Sequence, residues 1–151
     1  MEQKNQKKHN MNSFSSLNPR IIQFLMKDGK KSKAQSIFRK TLEILQNSSV
    51  STLALQNIQP IFEIKRVRVA GATREVPCLV PLARQEGLAL RWLIDAANER
   101  KRKNPTLFFE QCLATEIEEA SKGVGIARQK RDQLHKTAEA NRAFVHYLLP
   151  R

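Results

Sequence analysis

The chain has 151 residues, 40% of them hydrophobic, which is enough for one domain with its own core and excludes a disordered polymer. Lys and Arg total 27 against 14 Asp and Glu, and the resulting net charge of +13 favours a polyanionic partner, nucleic acid first and an anionic membrane surface second. Two cysteines, Cys78 and Cys112, exclude a disulfide framework and read as small buried hydrophobes, while no apolar run reaches the ~18 residues of a membrane span and no apolar core marks an N-terminal signal.

Residues 1–16 are polar and carry Lys4, Lys7, Lys8 and His9, so they read as a flexible basic tail ahead of a single domain over 17–151. Asn18 as N-cap and Pro19 at the first helical position announce a first helix, with Ile21, Ile22 and Leu25 on its apolar stripe and Gly29 as its stop. Ser32 and Gln35 then form a predicted capping box for a second helix, whose stripe is Ala34, Ile37, Phe38, Thr41, Ile44 and Leu45. A loop at "NSSVS" precedes a short third helix, about Thr52 to Gln59, ended by Pro60.

The pattern then changes. "IKRVRVAGATREVPCLV", Ile64 to Val80, alternates branched apolar residues with Lys and Arg around one glycine. Such alternation predicts a two-stranded ribbon over about 61–82, with Val67 and Val69 on one face, Arg66 and Arg68 on the other, and Gly71 in the turn. Pro77 and Pro81 fit a ribbon that is all edge and argue against a larger sheet. A hairpin of this kind is marginal alone, so its base, Phe62, Ile64 and Val80, is expected to pack on the helices.

A fourth helix follows, about Arg84 to Lys101, with Leu88, Trp92, Leu93, Ala96 and Ala97 inward, running into "RKRK" at Arg100 to Lys103. Asn104 and Pro105 predict the start of a fifth helix that continues to about Ser121, with Phe108, Cys112, Thr115, Ile117 and Ala120 inside. "KGVG" breaks it, and a last helix is expected from about Ala127 to Leu148. The fold class is therefore mainly α: a bundle of about six helices with an extended two-stranded β-hairpin arm between the third and fourth.

Nothing in the sequence points to catalysis. There is no HExxH, no CxxC pair, no Walker loop and no GxSxG, so neither an enzyme nor a metal or cofactor site is expected. His135 and His146 fall on one predicted helix about 16 Å apart, too far to share a metal. The cations are better placed for binding. Arg128, Lys130 and Arg131 sit at the start of the last helix, where the dipole prefers anions, and a bound phosphate would reverse that cost. Lys30 and Lys31 share a tight loop in which ammonium and amide groups could meet one phosphate. The ribbon carries Lys65, Arg66, Arg68 and Arg74, and basic ribbons fit nucleic-acid grooves. With few aromatic residues outside the predicted core, recognition would rest on phosphates and RNA shape. An architectural DNA-binding protein is the alternative, but such arms place an apolar wedge at the tip, and this tip reads Ala-Gly-Ala-Thr. Cations lying in loops, the arm and helix ends do not make the basic helix face of a membrane-surface protein.

Four blocks in order carry a resemblance: "LMKDGKKSKAQSIF" (Leu25 to Phe38), "IQPIFEIKRVRVAGATREVP" (Ile58 to Pro77), "LALRWLIDAA" (Leu88 to Ala97) and "HKTAEANRAFVHY" (His135 to Tyr147). Over about Arg20 to Tyr147 the chain resembles the bacterial-type small-subunit ribosomal protein seven family. The resemblance implies six helices with a β-hairpin arm, and a primary binder of the 3′ major domain of small-subunit rRNA that organises the subunit head. It implies neighbouring head and platform proteins as partners, and an arm near exit-site tRNA and the mRNA path. Carried over by motif, the rRNA-binding set comprises Arg20, Lys30, Lys31, Ser32, Lys65, Arg66, Arg68, Arg74, Arg84, Arg91, Arg100, Lys101, Arg102, Arg128, Lys130, Arg131, Asn141, Arg142 and His146. Asn141 and His146 are also expected to serve local structure. The chain lacks the family's Arg-rich opening, and Ala70-Gly71 stands where relatives pair glycines. With "VAGATREVP", these departures resemble mitochondrial members, which implies the mitochondrial matrix, with a plastid or bacterial cytoplasm as alternatives.

Overall fold

The structure, a computed structural model, describes residues 19–46, 48–69 and 71–148. The predicted tail over 1–16 and the Asn18 cap lie outside the described residues. In chain order the elements are α1 (residues 19–25), α2 (Lys31–Leu45), α3 (Ser48–Ile58), β1 (Phe62–Val69), β2 (Ala72–Leu79), α4 (Leu82–Lys103), α5 (Phe109–Ser121), α6 (Ile126–Ala140) and a closing 3₁₀ helix (Arg142–Leu148). The mainly helical architecture with a β-hairpin between the third and fourth helices is the one expected from the sequence.

Helix α5 lies at the centre and packs against α2, α3, α4 and α6. Its buried face is Cys112, Leu113, Glu116, Ile117 and Ala120. Ile21, Phe38, Leu55, Ile58, Leu90, Leu93, Ala96 and Ala97 complete the core with it. Small residues on α4, Ala89, Ala96 and Ala97, let it approach α5 closely, while Trp92 and Leu88 stay half-buried at the margin. The α5 face differs from the predicted one: Phe108 and Thr115 are exposed, and Glu116 takes the inward position. On α2, Ala34, Phe38, Thr41 and Leu45 are buried as expected, but Ile44 is exposed and Ile37 half-buried.

Several boundaries move, each for a local reason. Helix α1 ends at residue 25, ahead of Gly29, because Asp28 (φ 52°) and Gly29 (φ 70°) form a left-handed pair that turns the chain. Helix α2 already begins at Lys31, so Ser32 lies inside its first turn and the Ser32–Gln35 box does not form. Gln46 closes α2 in a left-handed conformation, and α3 starts at Ser48 instead of Thr52. Helix α4 runs through the whole of "RKRK", whose charges suit its C-terminal dipole. Asn104-Pro105 starts no helix; Lys101 Nζ donates to the Pro105 carbonyl at 2.8 Å and also to the Leu107 carbonyl, holding a turn. Helix α5 begins at Phe109, where the Gln111 side chain accepts the Phe108 N–H at 3.1 Å. The last helix breaks at Asn141, so His135 and His146 do not share one helix.

The ribbon is a two-stranded antiparallel sheet with Val69 opposite Ala72 and Phe62 opposite Leu79. Gly71, at φ 83°, supplies the left-handed residue of its turn. Facing pairs Arg66–Glu75 and Arg68–Thr73 lie on one face, while Lys65–Val76 and Val67–Arg74 lie on the other. Its root is held by Val76, Pro77 and Val80, all buried, whereas Phe62 remains 39% exposed. Helix α6 packs on β1, and the closing 3₁₀ helix packs on β2. The Ile61 N–H donates to His135 Nε2 at 3.1 Å, and the Phe62 ring meets that imidazole edge-on.

Candidate nucleic-acid interface

The cations of the described residues fall into two populations. The first belongs to the interior. Arg100, 20% exposed, donates to Glu116 at 2.9 Å and to Glu119. Burial disfavours its charge, but the two carboxylates outweigh that and raise its pKa above the usual value. Glu116 is wholly buried, and its other oxygen accepts the Ala127 N–H at 2.8 Å. One carboxylate thus serves α4 and the N-terminus of α6 together, an internal anion where the dipole wants one. Gly125 makes this approach possible: it has φ 100°, and a Cβ there would lie 2.9 Å from a Glu116 oxygen.

Arg128 and Arg131 each donate to the Asn57 carbonyl at 2.8 Å. That carbonyl is in the last turn of α3, where carbonyls lack helical partners and the dipole is negative. Both guanidinium groups also pair with Asp132, and those bonds hold its pKa below the usual value although burial pushes the other way. Asn57 in turn donates to the Ala120 and Ser121 carbonyls at 3.0 Å, so one residue ties together α3, α5 and α6. The positive charge at the start of α6 therefore has partners inside the fold, which the sequence reading assigned to phosphate. Lys130 is half-buried and close enough to Glu99 to help lower its pKa, after the Lys103 ion pair that dominates it.

The second population faces outward. On the arm, Arg66 and Arg68 are exposed on one face, and Arg66 meets Glu75 at 3.5 Å. Lys65 and Arg74 are exposed on the other, where Arg74 lies 5.4 Å from the centre of the Phe144 ring. The sequence reading treated these four as one basic extension; the register divides them. In the α1–α2 loop and the first turn of α2, Lys27, Lys30 and Lys33 rim one cavity, while Lys31 borders a second hollow with Pro19, Met26 and Gln35. Lys30 and Lys31 thus border different hollows, although they are neighbours in sequence. No acidic residue stands in the first turn of α2, and the nearest carboxylate to Lys30 is the exposed Asp28 at 3.4 Å. Ser32 is exposed there too.

Other expected residues are placed as follows. Arg20 pairs with Glu86, joining α1 to α4, and Arg91 sits 5.3 Å from the centre of the Phe24 ring. Arg84 pairs with Glu63 at 2.6 Å, fastening the arm root to α4. Arg102 and Arg142 are exposed. Asn141 donates to the Thr137 carbonyl at 2.9 Å and caps α6. His146 Nδ1 meets the Ala143 carbonyl at 2.8 Å, a contact within its own turn. Lys27 and Lys33 are cations of this cavity rim that sequence reasoning did not single out. Their three-residue spacing around Lys30 was the available signal. Among the described residues no group of three or more His, Cys, Asp or Glu could hold a metal ion, and no helix is long and apolar enough to cross a membrane.

A family model described as "Ribosomal protein S7p/S5e" matches residues 1–142. The chain is 45% identical over 132 residues to "Small ribosomal subunit protein uS7m" of Marchantia polymorpha, covering 85% of this chain and 57% of that protein. It is 41% identical over 139 residues to "Small ribosomal subunit protein uS7" of Shewanella amazonensis, covering 88% of this chain and 86% of that one. The chain thus spans a little over half the length of the liverwort relative and most of the bacterial one.

Proposed function

Because the chain belongs to the ribosomal protein S7p/S5e family, we propose that it is a structural constituent of the small ribosomal subunit that binds the 3′ major domain of its rRNA and organises the head. The observation that carries this reading is the division of the cations. Arg100, Arg128 and Arg131 answer the protein's own carboxylates and carbonyls, and a separate outward set remains for a polyanion. That set comprises Lys65, Arg66, Arg68 and Arg74 on the arm, Lys27, Lys30, Lys31 and Lys33 around the first loop, and Arg91, Arg102 and Arg142.

The mechanism is charge neutralisation combined with shape. Neutralising roughly 6–10 phosphates makes affinity fall by about 10³–10⁵ between 50 and 200 mM salt. The two faces of the arm let it enter a groove and meet backbone on both sides, while the helical body fixes its angle. The arm is proposed to reach toward exit-site tRNA and mRNA, with head and platform proteins beside the body. We place the protein in the mitochondrial ribosome, supported by the liverwort relative and the mitochondrial character of "VAGATREVP". Recovering its peptides from purified mitochondrial ribosomes checks that placement, and recovery only from plastid or bacterial ribosomes would overturn it.

The test of function is a competition assay. The full chain is titrated against the 3′ major domain of its own rRNA across a salt series, with duplex DNA and an unrelated structured RNA as competitors. Preference for the rRNA domain, weakened by Arg66→Ala/Arg68→Ala, is expected. Equal binding to all three would refute the head-organising role and leave a general polyanion binder.

A further inference from the structure

Lys27 and Lys30 of the α1–α2 loop and Lys33 of α2 border a cavity of about 250 Å³. Its lining is Phe24 and Leu25 from α1, Ala34 and Ile37 from α2, Ile94 and Asn98 from α4, and Phe109 from α5, with Lys27, Lys30 and Lys33 at the edge. No carboxylate lines it. Two aromatic rings and three branched aliphatic side chains form the wall, and Asn98 brings the lining's one side-chain amide. This volume lies just below the range of about 300–1,000 Å³ in which drug-sized molecules bind, so it suits a single heterocycle.

We infer that this cavity takes one unstacked base of the bound RNA, with the neighbouring phosphates held by Lys27, Lys30 and Lys33. The inference rests on the RNA-binding reading above and names a contact within it. Each part of a nucleotide has a counterpart here. The base is flat and largely apolar on its faces, matching Phe24 and Phe109. Its edge carries donors and acceptors, and the Asn98 amide offers both, as amides do in pairing with adenine. The phosphates on either side are anionic, matching three ammonium groups within two turns of chain. Splayed bases in loops, bulges and junctions of folded RNA are what proteins read by stacking and edge contacts, so the ligand is a junction nucleotide and not plain duplex. Arg91, 5.3 Å from the centre of the Phe24 ring, adds a cation for the same strand as it leaves.

The test separates the base from the phosphates. Ala34→Leu fills the cavity while leaving every lysine, and Ile94→Phe fills it from the opposite wall. Both are checked for unchanged helicity and thermal midpoint before titration against the 3′ major domain. Each is expected to weaken binding by about tenfold or more, in the range of one lost base stack, with the salt slope unchanged. Lys27→Gln/Lys30→Gln/Lys33→Gln should instead flatten the salt slope by about two to three. Ultraviolet cross-linking of the unaltered chain to the same RNA gives a second readout that needs no variant. It should attach a single nucleotide to peptides containing Phe24 or Phe109. Full affinity in both plugged variants, or cross-links that avoid both peptides, overturns the cavity assignment while the preference for rRNA stands. Loss of that preference in the unaltered chain would instead bring down the functional reading itself.

Discussion

Replacing Glu116 with Ala should be among the most damaging single changes in this protein. The carboxylate is wholly buried and accepts two hydrogen bonds, from Arg100 at 2.9 Å and from the Ala127 N–H at 2.8 Å. Without it the buried Ala127 amide has no acceptor, which costs about 1–3 kcal/mol. Arg100 also loses its buried counter-charge, and breaking such a pair costs about 3–5 kcal/mol. Glu119 still pairs with Arg100 and softens the second loss, so the two figures do not add. A net loss of about 3–5 kcal/mol is expected, a large share of the ~5–15 kcal/mol that holds a domain folded. Glu116→Gln keeps the volume and one acceptor for the amide, so it should cost about 1–3 kcal/mol. Urea unfolding followed by circular dichroism measures both, with the slope confirming that the transition stays two-state. A Glu116→Ala loss below about 1 kcal/mol would refute the claim that this carboxylate joins α4, α5 and α6.

Gly125→Ala should destabilise by at least about 2 kcal/mol, since the backbone is left-handed and the new Cβ would press on Glu116 and Glu119. Gly123→Ala meets open space at φ 77°, so urea unfolding should show a smaller loss of about 1 kcal/mol. Burial, then the Arg131 charge, lowers the His135 pKa below the ordinary 6.5, with Asp132 opposing and Arg128 adding to the effect. The unfolded chain therefore binds the extra proton first, and stability should fall as pH drops below about 6.5 toward the folded value. A thermal midpoint series across that range, flattened in His135→Gln, checks the sign. Arg128→Ala/Arg131→Ala should lower stability by about 1–3 kcal/mol through the Asn57 carbonyl. Arg66→Ala/Arg68→Ala should change it by less than about 1 kcal/mol, because the pair to Glu75 is solvent-exposed. Equal losses in the two double variants would contradict the division of the cations.

The helices and the arm were legible because hydrophobic period is local: a stripe every three or four residues and an alternation every two need only neighbours to be read. Gly71 marked the turn for the same reason. The misreadings came where a distant partner decides. Glu116 stands four residues after Cys112 and four before Ala120, squarely on the inner stripe of α5. It was passed over in favour of Thr115 because a carboxylate is assigned to solvent until its cation is known. Arg100 looked like one of four equivalent charges in "RKRK", yet its side chain reaches the Glu116 and Glu119 carboxylates of α5. Arg128 and Arg131 opposed the dipole of their own helix, and that sign was read correctly. What the sequence could not display was the end of α3 lying against them. The Asn104-Pro105 start failed because Lys101, a residue of the preceding helix, holds that segment as a turn.

The bracing of the ribbon bears on how the protein is made. Both strands leave the ribosome that synthesises them well before α6 and the closing 3₁₀ helix, which pack on them from the far end of the chain. A two-stranded hairpin without support is marginal in water, and domains are synthesised from the N-terminus onward. The helices α1 to α5 can gather around Leu90 and Leu113 while the arm is held at its root alone, by the Arg84–Glu63 pair. Its bracing is completed when His135 reaches the Ile61 amide and Phe144 reaches Arg74. The arm is thus the last part of the molecule to gain all its supports, and a nascent chain cut short of those residues would carry the charges of the arm without its final aim.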